Sequence, residues 1–261
     1  MNAFAHHLRY EFNGGLRDKS HLFMNYLFPL LFFVLVGAFM TRLDSSFKDR
    51  LVPAMAIFAV MCSYLLSMPS GLVTARDAGV LRSYRINGVP ARAALAAPAL
   101  ANLGHMALVT LVVMGLSTAA FGAPLPKNVV GFALPWMAMT ASFAGLGALI
   151  AVLSSSARAA TLIAQCVYLP SIILGGLMTP AGALPPALER FSLLLPARHA
   201  MRAFAGGAGS LTSLAALVLS AIVSFGLAAY LLEWDGRNAC HGARKFLALL
   251  AFAPYAAAML A

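Results

Sequence analysis

Arginine is the residue whose placement in this sequence first suggests chemistry. Between Thr74 and Arg92, in TARDAGVLRSYRINGVPAR, stand Arg76, Asp77, Arg82, Arg85 and Arg92, while the stretches on either side are almost wholly apolar. Guanidinium groups hold a fixed charge and form charge-assisted hydrogen bonds whose strength depends on geometry. Val80, Tyr84 and the aliphatic part of Arg76 recur at helical spacing, with Arg82 and Arg85 on other faces. Gly88 and Pro90 close the segment. The pattern predicts a short helix at a membrane surface, offering charge and apolar knobs to a cytosolic partner. The plainer alternative is a loop that only sets topology, since arginines between apolar runs mark the cytoplasmic side.

Other chemistry is missing. None of Lys19, Lys48, Lys127 or Lys245 follows a glycine, so the chain has no G-x-x-x-x-G-K-[ST] phosphate loop. It also lacks H-E-x-x-H and G-x-S-x-G. All eight acidic residues fall in predicted loops or interfacial segments, which leaves a proton relay without an intramembrane carboxylate. Cys62, Cys166 and Cys240 are too far apart for a zinc spacing or a disulfide framework. The chain therefore reads as non-enzymatic, with no metal and no cofactor of its own.

His105 is the one ionisable group expected well inside the membrane, where such a residue is by default a functional candidate. The alternative is a neutral histidine hydrogen-bonded to Asn102 or to a neighbouring helix. Gln165 and Tyr64 read as helix–helix hydrogen bonders.

The elements that must position these groups follow from composition. Of 261 residues, 61% are hydrophobic and 10% charged, with a mean hydropathy of +0.85. Soluble domains carry about 25% charged residues, so this is an all-α integral membrane protein. Its net charge of +10 fits membrane orientation and anionic lipid, not nucleic acid. Phe4, Leu8 and Phe12 recur every four residues, predicting an interfacial amphipathic helix ended by Gly14-Gly15.

Six spans are predicted at 22–40, 51–73, 95–120, 129–153, 161–177 and 211–232, all within one transmembrane domain over 1–245. Pro29 is expected to kink the first. Small residues including Ala141, Ala144, Gly145, Gly147 and Ala148 suit the fourth to close packing. The prolines between Met178 and Gly209 predict short helices at the outer interface, or a re-entrant pair.

The apolar tail 246–261 is shorter than the roughly 20 residues of a usual crossing and carries Pro254. It is expected to be interfacial or docked, a seventh crossing being the alternative. With the N-terminus cytoplasmic, eleven of the eighteen basic residues fall inside and seven outside, the sense of the positive-inside rule.

Two stretches resemble the permeases of type-2 ABC exporters. In Leu174–Arg202, LGGLMTPAGALPPALERFSLLLPARHAMR, the residues Leu174, Gly176, Pro180, Leu184, Pro185, Pro196 and Arg202 occupy that family's places for an apolar-Gly pair, a following Pro, a Leu-Pro, and a later Pro with a terminal Arg. The arginine island resembles the family's coupling segment at Arg76, Asp77, Gly79 and Leu81, although Ala75 stands where an acidic residue is often found. The apolar tail lies outside the usual pattern.

The resemblance implies ATPase coupling through Arg76, Asp77, Gly79, Leu81, Arg82 and Arg85, and an outer gate segment at Gly176, Pro180, Leu184, Pro185, Pro196 and Arg202. It implies a homodimer that binds separate ATP-binding subunits, which would hold ATP and Mg. The expected task is outward movement of an amphipathic drug, lipid, glycolipid or peptide across the plasma (inner) membrane of a bacterial cell. A non-transporting immunity protein or assembly scaffold is the alternative from another class.

Overall fold

The computed structural model describes residues 3–179, 184–207, 209–234 and 242–260, and these are helical with no strand. In chain order the elements are α1 (Ala3–Gly15), α2 (Lys19–Leu43), α3 (Phe47–Asp77), α4 (Val80–Ile86), α5 (Ala91–Phe121), α6 (Val129–Leu153), α7 (Ala157–Leu174), α8 (Pro186–Ser192), α9 (Pro196–Ala205) and α10 (Ser210–Leu231). A 3₁₀ stretch, Gly242–Phe252, then leads into α11 (Ala253–Leu260). Among the described residues, α2, α3, α5, α6, α7 and α10 are the six helices long and apolar enough to cross a membrane.

Most boundaries exceed the hydropathy pattern by a turn, because capping groups carry the helices past their apolar cores. Asp18 caps α2, accepting from the Ser20 and His21 N–H groups at 2.8 and 3.2 Å. Asn128 caps α6 through Gly131 N at 2.9 Å. The fifth span both starts and ends earlier than predicted. It ends at Leu174, because Gly176 turns the chain with φ +88°, a conformation that favours glycine.

Helices α3 and α6 form the centre, each largely buried, while α2 and α7 lie at the periphery with much of their apolar surface exposed. Two wide π turns interrupt the first two spans, at Phe23–Leu27 in α2 and Cys62–Ser67 in α3. Each precedes a proline, Pro29 or Pro69. Proline lacks an N–H and crowds the carbonyl four residues back, and a widened turn relieves both problems. Where a kink is expected at Pro29, the helix has a π turn just before the proline.

In α3 the turn also frees a carbonyl. Met68 donates its N–H to Ser63, and Pro69 has none to give, so the Tyr64 carbonyl loses its usual helical donors. That oxygen lies against Gly147 of α6, where a Cβ would sit 2.0 Å from it. Gly145 faces α10 in the same way, its missing Cβ lying 3.0 Å from Ser224 Cβ and 3.1 Å from Ala221 O. Small residues here set the distance between helices.

The tail does not lie apart from the bundle. Ala251 and Tyr255 are completely buried against α10 and α6, with Ser220 Oγ donating to Ala251 O at 3.0 Å.

Candidate functional site

The arginine island is two elements joined by a break. The chain stays helical through Asp77, and Ala78 N and Gly79 N then donate back to Thr74 O and Arg76 O, both at 2.9 Å. Gly79 turns left-handed at φ +79° and starts α4. A single helix through Arg76 and Tyr84, as the spacing predicts, is therefore broken at Gly79.

The break separates the arginines. Arg76 turns inward and is 3% exposed, donating from Nη2 at 2.9 Å to the carbonyl of Ser154, the residue that caps the C-terminus of α6. Its Nε lies 3.5 Å from the half-exposed Asp77 carboxylate. Arg82 and Arg85 lie on the exposed part of α4, together with Ile86, which is 77% exposed. Leu81 anchors α4 from beneath and is buried. Thus Arg76 ties the ends of α3 and α6 together, while α4 presents two arginines and an isoleucine outward.

Helix α1 braces α4 from the side. Tyr84 meets the His7 ring edge-on at 4.9 Å and hydrogen-bonds Glu11. Burial holds the Glu11 carboxyl above its ordinary range, opposed by His7, and burial with Glu11 and Tyr10 nearby pushes Tyr84 up to about 12. His7 and Glu11, off the apolar stripe of α1, therefore face α4 instead of open water. Between α1, α3, α4 and α5 lies a cavity of about 210 Å³, bordered by Glu11, His21, Ser67, Tyr84 and Asn102.

Above this cavity sits a polar cluster that the sequence did not reveal as one. Asn25 Nδ2 lies 2.7 Å from His21 Nε2 and donates to Asn102 Oδ1 at 3.1 Å. Ser67 Oγ lies 3.2 Å from His21 Nδ1, and Tyr26 OH lies 2.5 Å from His105 Nδ1. Phe12 of α1 stacks flat on His105 at 4.2 Å. The partner expected for His105, Asn102, instead bonds Asn25 of α2, because residues three apart on α5 each meet a different residue of the facing π turn. The usable signal was two pairs on helical faces, His21 with Asn25 and Asn102 with His105. Gln165 stands apart on α7, its buried Oε1 without a partner among the described residues.

At the opposite end, α8 and α9 fold back between α7 and α10. Leu184 and Pro185 lead into α8, Pro196 starts α9, and Pro180 lies outside the described residues. Glu189 of α8 pairs with the buried Arg198 of α9. Arg198 Nη1 passes 3.1 Å from where a Cβ on Gly176 would stand, and Arg202 fills the space beside Gly209. This ion pair was not anticipated, since neither residue belongs to the motif quoted for the segment.

His199 of α9 is fully buried, with Nε2 2.7 Å from Leu193 O and Nδ1 3.2 Å from Ser213 Oγ. Burial lowers its pKa, with Arg202 and Arg198 adding to the effect and the Leu193 carbonyl opposing it. A base whose pKa is depressed by folding contributes stability above its unfolded value, about 6.5, that is lost as pH falls below it. The protection of α9 amides, corrected for the intrinsic pH dependence of exchange, is accordingly expected to fall between about pH 7.5 and 5.5 in detergent, and much less in His199→Gln.

An all-α bundle of six spans, with a helical N-terminal segment, a short loop helix at one end and a folded-back helical pair at the other, defines a multi-pass membrane protein. Residues 3–208 match the family model for the ABC-2 type transporter. The match covers most of the chain, and the protein belongs to that family as a membrane-spanning permease subunit, a non-catalytic class. No curated protein matches it.

Proposed function

We propose that this chain is the permease half of an ATP-driven exporter, working as a homodimer with two separate ATP-binding subunits. Helix α4 carries the reading: Arg82, Arg85 and Ile86 are exposed at its surface, while Leu81, Tyr84 and the Gly79 turn fix it to α1, α3 and α5. A docking element must be rigid where it joins the spans and open where it meets a partner, and α4 has both properties. ATP and Mg would be held by that partner.

The end of the molecule bearing α1 and α4 faces the cytoplasm of a bacterial cell, as the excess of basic residues there supports. The folded-back helices α8 and α9 form the outer gate. Substrates are amphipathic, because the spans offer mostly alanine, leucine, valine and glycine. The test is reconstitution with the cognate ATP-binding subunit in sealed vesicles. ATP-dependent movement of a hydrophobic dye or drug across the bilayer is expected. ATP hydrolysis with no movement of any amphipathic compound in a broad panel would overturn the export reading.

A further inference from the structure

The segment after α10 has no counterpart among the six spans, and its contacts give it a direction. Ala251 lies beside Ser220, near the middle of α10. Four residues later, Tyr255 reaches His199 of α9 and hydrogen-bonds Ser142 of α6 at 2.5 Å. His199 in turn contacts Ser213, in the first turn of α10. The tail therefore runs antiparallel to α10, from its end toward its start.

Length agrees with this direction. A 3₁₀ stretch rises about 2.0 Å per residue and an α-helix about 1.5 Å, so Gly242–Leu260 spans about 34 Å, against about 30 Å for a hydrocarbon core. Composition agrees as well. Residues 246–260 contain no charged side chain, and Arg244 and Lys245 stand where the apolar run begins. On the side away from the bundle, Phe246, Leu249 and Leu250 are exposed, a face suited to lipid.

We propose that residues 242–260 form a seventh membrane-crossing segment, and that Tyr255 within it is a positioning residue for the outer helix α9. The ring of Tyr255 lies nearly parallel to His199, 5.1 Å between centroids, while its hydroxyl is tied to α6. Tyr255 thus links a folded-back helix to the central bundle from the membrane side. Residue 260 emerges on the face opposite α1 and α4, which gives an odd number of crossings. At the α-helical rise the uncharged run 246–260 would span about 23 Å; the 3₁₀ residues lengthen it to about 26 Å, and Arg244 and Lys245 carry the segment on to the interface.

Single cysteines in an otherwise cysteine-free chain test the crossing in oriented vesicles. With an impermeant maleimide, Lys245→Cys and Met259→Cys are expected to label from opposite faces, and Lys245→Cys from the face that exposes Arg85→Cys. Labelling of both from one face, or of Met259→Cys from neither, would overturn the proposal. The second arm follows maleimide reaction at Ala203→Cys on α9. Loss of an aromatic contact is expected to speed that reaction several-fold to about tenfold in Tyr255→Ala. Tyr255→Phe, which keeps the ring against His199 but loses the bond to Ser142, should react at a rate between the two. Equal rates in Tyr255→Ala and the parent would remove the positioning role.

Discussion

Gly147→Ala is expected to destabilise the protein severely, although it adds one methyl group to a helix that otherwise favours alanine. The added Cβ would fall 2.0 Å from the Tyr64 carbonyl oxygen, with Tyr64 C at 3.1 Å. These are backbone atoms in a completely buried stretch of α3, so neither rotamer change nor local yielding relieves the contact. Overpacking typically costs 1–3 kcal/mol, and a clash of backbone with backbone belongs at the upper end, about 3 kcal/mol.

Gly115→Ala supplies the contrast. It lies within α5 with nothing within 4 Å of its added Cβ, and should gain up to about 1 kcal/mol from helix propensity. Thermal unfolding in detergent of the two variants against the parent measures the difference. A Gly147→Ala protein as stable as the parent would mean that α3 and α6 do not meet through the Tyr64 carbonyl.

Arg76→Ala is the second large effect, and it distinguishes the two kinds of arginine in the loop. The guanidinium is 3% exposed and donates to the carbonyl of Ser154, which caps α6. Hydrogen bonds from charged groups contribute about 1.5–3 kcal/mol when buried, and the orphaned Ser154 carbonyl adds to the loss. A drop of about 2–3 kcal/mol in stability is expected. Coupling to a partner should fall with it, because the ends of α3 and α6 no longer hold α4. Arg85→Glu, on the exposed face, should leave stability within about 0.5 kcal/mol of the parent. If Arg76→Ala unfolds at the parent's temperature, the guanidinium does not join the two spans.

The contrast shows what the sequence could and could not convey. The spans were legible because apolar runs are long and their ends are marked by charge, glycine or proline; α6 matches its predicted limits at both ends. The island was legible as a charged loop between two spans but not as a shape. Helical spacing placed Arg76 and Tyr84 on one stripe, and the left-handed turn at Gly79 breaks that stripe. The inward turn of Arg76 depends on a carbonyl 78 residues away, which no local pattern encodes.

The polar cluster was hidden for the same reason. Its histidines and asparagines read as two separate pairs until a π turn in α2 brings Asn25 and Tyr26 against α5. In the tail, the 3₁₀ stretch Gly242–Phe252 was hidden too, because nothing in an apolar run announces that rise. Each failure has one origin: periodicity reports a helix's own faces, and these features arise where helical periodicity breaks or where distant segments meet.

The coupling role of α4 is the central claim, and co-purification tests it most directly. The parent, Arg82→Glu and Gly79→Pro are each expressed with a tagged cognate ATP-binding subunit, and recovery of the permease is normalised to membrane-inserted protein. An interfacial charge contact is worth about 1.5–7 kcal/mol when close, so reversal of Arg82 is expected to reduce recovery at least tenfold. Gly79→Pro should fail likewise, since proline cannot adopt φ +79° and α4 would lose its direction. Recovery of both variants at the parent's level, with ATP-driven transport intact, would contradict the account and leave the island as a topology signal.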